Sequence, residues 1–186
     1  MKNERLLILL LRVFLFPYNK VRNCYYALAL GAENIIVGKA LSLRGSRNVS
    51  IGRNVNLGNQ TWIDAIGSGE IIIGDDVSFS QNVHVAAASH VVIGDGCLVG
   101  SDVLITDHDH SFETDMLTTF PKNRPLRVKG PTVLGKNIWL SDNVKILSGV
   151  TLGNNIVVAA NSVVTRSFPE NVLLAGNPAV VIRRLK

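Results

Sequence analysis

Aromatic side chains are scarce in this chain of 186 residues, at 6% of the total. A core for one domain must therefore be aliphatic, within an apolar fraction of 47%. Cysteine is limited to Cys24 and Cys97, far apart in sequence, so there is no disulfide framework and no metal-type spacing. Such a pair reads as two reduced thiols of a cytoplasmic protein. Runs of Lys and Arg interleaved with aromatics are also missing. The 19 basic residues exceed the 14 acidic ones, a formal charge of +5. That excess suits a phosphorylated ligand or a membrane surface, and nucleic acid is not expected as a partner. No apolar run is long enough to span a bilayer. Leu6 to Leu11 is apolar, Arg12 interrupts, and Val13 to Phe16 continues to Pro17. Lys2 and Arg5 precede this run as in a secretory signal, but no A-x-A-like cleavage site follows. Residues 1–34 read as a retained helical segment that packs on the following domain or makes peripheral contact with the inner face of a membrane. Lys2, Arg5, Arg12, Lys20 and Arg22 favour anionic lipid.

What the chain does have is glycine, 16 residues of it, and a period. Aliphatic residues recur at steps of six from Ile51 to Val164. They form the blocks Ile51, Leu57, Ile63; Ile73, Phe79, Val85; Ile93, Val99, Ile105; Leu134, Leu140, Ile146; and Leu152, Val158, Val164. Three hexapeptides make one triangular coil. Each aliphatic residue points inward and stacks on its equivalent one coil away, and the backbones join as parallel ladders. The small residue that follows (Gly52, Gly58, Gly74, Gly94, Gly100, Gly135, Gly153) is expected to leave room for the turn. A sandwich would instead alternate with period two and turn about every 8–12 residues. The pattern predicts an all-β domain over 35–186, a left-handed parallel β-helix of hexapeptide repeats, after the short N-terminal helical segment.

The repeat breaks with a step of ten after Ile63 and of eight after Val85, where bulges at corners suffice. A larger gap separates Ile105 from Leu134 and predicts a loop extruded near 107–131. A polar loop of this length inside a repeat is usually functional. It opens on Thr106-Asp107-His108-Asp109-His110. Histidine beside carboxylates suits general-base work, and a solvated loop or a small metal site would look similar. His84 and His90 fall within coils and read as surface histidines.

The segment Ile105 to His110 is similar to the motif of hexapeptide-repeat O-acetyltransferases in which a histidine opens the projecting loop. Gly130-Pro131-Thr132-Val133-Leu134-Gly135-Lys136-Asn137-Ile138-Trp139-Leu140 is closer still, and Ala175-Gly176-Asn177-Pro178-Ala179 matches the family's turn after the final coil. The resemblance covers roughly Ile35 to Arg183, most of all to the maltose, nodulation-factor and lipopolysaccharide branch. It departs where Ser141 and Ala160 replace glycine, and where Asp109 stands in place of a proline.

The resemblance implies direct acetyl transfer from acetyl-CoA to a sugar hydroxyl, in surface polysaccharide or O-antigen synthesis. His108 or His110 would be the base, with Asp107, Asp109 or another acid of the loop as its orienting carboxylate. Trp139, Ser141, Ala160, Thr165, Arg166 and Arg183 would lie along the cofactor, the arginines toward its phosphates. A homotrimer with sites between subunits and a carbohydrate acceptor follow from the same likeness. No nucleophile is required: G-x-S-x-G is absent, and Cys97 falls at an inward small-residue place. The alternatives are N-acetylation of an amino sugar, or a non-enzymatic or metal-dependent β-helix. The last would need three convergent zinc histidines, a spacing that His84, His90, His108 and His110 do not offer. We expect no stoichiometric zinc in the purified protein by elemental analysis; a full complement would favour the metal-dependent reading.

Overall fold

The computed structural model describes residues 5–185; Lys2, counted above among the cations, lies outside them. Its main body is three sheets of eight, six and five strands, all parallel except the last strand of the first. They are the faces of the left-handed parallel β-helix that the period predicts. The first sheet stacks Val37, Leu57, Phe79, Val99, Leu140, Val158 and Leu174. The second stacks Leu43, Ile63, Val85, Ile105, Ile146 and Val164. The third stacks Ile51, Ile73, Ile93, Leu134 and Leu152. Apart from Leu43, all of these are buried. A second inward position two residues earlier holds Val55, Val77, Cys97, Ile138 and Ile156, also buried. Burying one such side chain contributes roughly 1.5–3 kcal/mol.

The corners differ from expectation. The glycines after the inward residues do not adopt the left-handed conformation; they sit where the next coil passes too close for a side chain. A Cβ on Gly58 would lie 1.8 Å from the Ser80 carbonyl oxygen. The left-handed residue comes two places later and is mostly Asn or Asp, as at Asn54, Asp76, Asn82, Asn137 and Asn155. Their side chains bond along the corner, Asn54 to Asp76 at 2.9 Å and Asn137 to Asn155 at 2.8 Å.

Both ends of the coil stack are covered, which a repeat protein needs. At one end the last coil strand, Val172–Gly176, turns through Asn177 and Pro178 into Ala179–Arg184, which pairs back on it antiparallel. At the other, α1 spans Leu6–Leu30 and runs through Pro17. Its C-terminal third docks: Tyr26, Ala27 and Leu30 pack on the core, and the Asn23 side chain accepts the Val37 N–H at 3.1 Å. The apolar stretch itself makes no buried contact; no residue of α1 is buried. Among the described residues no helix is long and apolar enough to cross a membrane.

Val99 is fully buried between Phe79 and Leu140. Val99→Asp should therefore abolish cooperative folding or lower the melting temperature steeply, because an unpaired charge there has no partner. A variant that melts like the parent would refute this register.

Candidate active site

The strand Leu104–Thr106 reaches the corner of the second sheet, where the chain leaves the coil at Asp107. The strand His108–His110 then pairs antiparallel with Leu126–Val128, so the extruded loop has a hairpin stem. The coil resumes at Thr132–Leu134 in the third sheet.

Asp107 is the knot of this exit and is completely buried. One carboxylate oxygen accepts the Ala88 N–H at 2.8 Å, and the other accepts those of Ser89 and His90 at 2.7 Å each. The Ser148 hydroxyl donates to its main-chain carbonyl. The His108 Nδ1 lies 2.9 Å from the Asp107 carboxylate and 3.2 Å from the Thr106 hydroxyl. Burial, the largest single influence, pushes the Asp107 carboxyl upward. The bonds from His108, Ala88, Ser89 and His90 together outweigh it and hold the group below the ordinary carboxylate range. The buried Thr132 hydroxyl closes the neck of the loop by donating to the Thr106 carbonyl at 3.0 Å.

Asp109 pairs with Lys129 at 3.6 Å, and His110 is exposed, opposite Leu126 in the stem. His108 keeps 13% of its side chain exposed and faces a cavity of about 310 Å³. Leu104, Thr106, His110, Leu147 and His84 also line that cavity.

His84 is not the surface histidine the sequence suggested. Its ring stacks on Trp62 at 4.1 Å with 7° between the planes, and its Nε2 is buried without a partner. Burial holds the imidazole below its usual pKa; Asp64 pulls it up, and His108 pushes it further down. The Arg44 guanidinium lies 5.9 Å from the Trp62 ring centre on the same sheet. This cluster escaped sequence reading because Arg44, Trp62 and His84 belong to three successive coils and only strand register brings them together.

The residues assigned to a cofactor fall into two groups. Trp139, half exposed, heads a row across the first sheet through Val157 and Leu173 to Arg183. Ser141 and Ala160 flank the corner beside that row, where the Ser141 N–H donates to the Val158 carbonyl at 2.9 Å. Thr165 and Arg166 stand apart, at the end of the second sheet, where Arg166 lies 5.2 Å from the Phe168 ring centre. His108 and Trp139 therefore stand on different faces of one prism.

Comparison with known proteins agrees with this architecture. The family model for bacterial transferase hexapeptide repeats (six repeats) matches residues 131–166. The chain is 38% identical over 146 residues to WbbJ of Escherichia coli, whose name is that of a lipopolysaccharide biosynthesis O-acetyl transferase. The match covers 76% of this chain and 74% of that protein. The chain belongs to the hexapeptide-repeat acetyltransferase family. It is 32% identical over 139 residues to the galactoside O-acetyltransferase of E. coli, covering 69% of this chain and 63% of the relative. A hexapeptide-repeat acetyltransferase of Vibrio cholerae, solved with acetyl coenzyme A, superposes with a TM-score of 0.61 at 27% identity. It covers 87% of this acetyltransferase and 76% of its own chain.

The lowered carboxyl of Asp107 stabilises the fold above the ordinary carboxylate range, and the gain is lost as pH falls through the lowered value. Asp107→Asn places an amide donor against backbone donors and should cost about 2–3 kcal/mol at neutral pH. Thermal melts from pH 7 to 3 should show a smaller acid-dependent loss in the variant than in the parent. Identical slopes would mean that the carboxylate does not hold this corner.

Proposed function

We propose that this acetyltransferase moves the acetyl group of acetyl-CoA to a hydroxyl of a carbohydrate, in synthesis of a surface polysaccharide or O-antigen. The observation that carries the reading is the Asp107–His108 pair at the mouth of the loop, with the imidazole open to the cavity. The names of WbbJ and the galactoside enzyme support a sugar hydroxyl as the acceptor.

A carboxylate accepting from Nδ1–H leaves the lone pair on Nε2, directed away from Asp107. His108 takes the hydroxyl proton as that oxygen attacks the thioester carbonyl. Collapse of the tetrahedral intermediate breaks the carbon–sulfur bond, and the imidazolium returns the proton to the departing thiolate. The products are an acetyl ester and free coenzyme A. Asp107 stabilises the transient imidazolium and fixes the ring.

The row from Trp139 to Arg183 fits a donor with an apolar arm and a phosphate end. It spans three strand spacings, about 14 Å, with an arginine at one end of a partly exposed apolar strip. The separation of His108 from Trp139 supports a homotrimer in which base and donor groups come from neighbouring subunits. Peripheral contact of α1 with the inner face of a membrane completes the reading.

His108→Ala should lower turnover by about 10²–10⁴ with the fold intact, measured as acetyl-CoA-dependent acetylation of a glycan panel. His110→Ala should retain most activity; the reverse result moves the base by two residues. The product should release acetate in mild alkali, as an ester does, and a stable amide would mean N-acetylation.

A further inference from the structure

A second cavity, of about 400 Å³, lies where α1 meets the first coil. Its walls include Tyr18, Arg22, Tyr26 and Lys39, and its two charged residues are both cationic. One terminal nitrogen of Arg22 donates to the Val37 carbonyl at 2.5 Å, and the guanidinium lies 5.5 Å from the Tyr18 ring centre. The Arg22 Nε is buried with no hydrogen-bond partner. A cationic, half-enclosed site with no acidic residue in its walls is matched to an anion.

What adjoins the cavity says which anion. N-terminal to Tyr18, no residue of the apolar stretch Leu6–Phe16 is buried on the coils. Leu6, Leu7, Leu10, Leu11, Val13, Phe14 and Phe16 are each more than half exposed, and they spread over more than half of the circumference of the helix. A protein partner covers a stripe, whereas lipid covers every side. The stretch Leu6–Phe16 is about 16 Å long, half the thickness of a bilayer core, so it can lie in one leaflet. No Asp or Glu occurs between Arg5 and Ala32, while Arg5, Arg12, Lys20 and Arg22 do. Tyr18, at the boundary of apolar and cationic parts, has the amphipathic ring that favours a headgroup region.

We propose that the cavity between α1 and the first coil seats the phosphate of an anionic phospholipid headgroup, while the apolar half of α1 lies among the acyl chains. This rests on the membrane contact proposed above and adds a defined headgroup site to it. Arg22 and Lys39 hold the phosphate, and Arg22 couples the site to the coil through Val37.

Flotation of the full chain with neutral phosphatidylcholine vesicles, and with vesicles containing phosphatidylglycerol, tests this. The intact chain should bind both, and the anionic ones more tightly. Lys39→Gln should weaken binding to anionic vesicles by about fivefold or more and leave neutral binding and melting temperature unchanged. Lys20→Gln, an equal change of charge outside the cavity, should weaken it less. Equal losses in the two variants, or no preference for anionic vesicles, would overturn the headgroup site and leave the anchor standing. Absence of binding to either vesicle would overturn the anchor and the site with it. If inorganic phosphate alone raises the melting temperature through Lys39 and vesicles show no preference, the ligand is free phosphate and the lipid assignment fails.

Discussion

Each coil must place its backbone within hydrogen-bonding reach of the next, about 4.8 Å away, and the rest of the structure depends on that spacing. It makes the inward residues stack, so the two inward positions of the hexapeptide build a continuous core. It also excludes side chains wherever two corners pass closely, which is why glycine follows the inward residue. The left-handed step falls to Asn or Asp, whose amides and carboxylates bond along the corner.

A loop that leaves such a stack breaks the ladder and orphans the donors of the preceding corner. Asp107 solves this with one side chain. The N–H groups of Ala88, Ser89 and His90 would otherwise face a missing coil, and they meet its two carboxylate oxygens instead. The same carboxylate orients His108. Loop exit and base position are thus one interaction, and removing the charge disturbs both.

The two ends of the stack answer the same need differently. The C-terminal strand folds back and pairs with the last coil strand, which covers an open edge. At the start, only the C-terminal third of α1 covers the first coil. Among the described residues nothing buries the apolar side chains of Leu6–Phe16 in a single chain, so their energetics are settled by whatever surrounds them.

The inward residues were legible in the sequence because the period of six maps directly onto burial, from Ile51 through Val164. The gap after Ile105 and its Thr-Asp-His segment were legible for the same reason, as an interruption of that period. The sequence also carried the resemblance on which the candidate cofactor residues rest. Which acid meets which histidine was not legible: Asp107 and Asp109 both neighbour His108, and only the fold sends Asp109 to Lys129. Nor was the stacking of Trp62 on His84 or the separation of His108 from Trp139. Inward positions obey a local rule that every hexapeptide repeats. Outward neighbours come from coils about twenty residues apart, and their meeting depends on insertions at intervening corners that only the tertiary structure places.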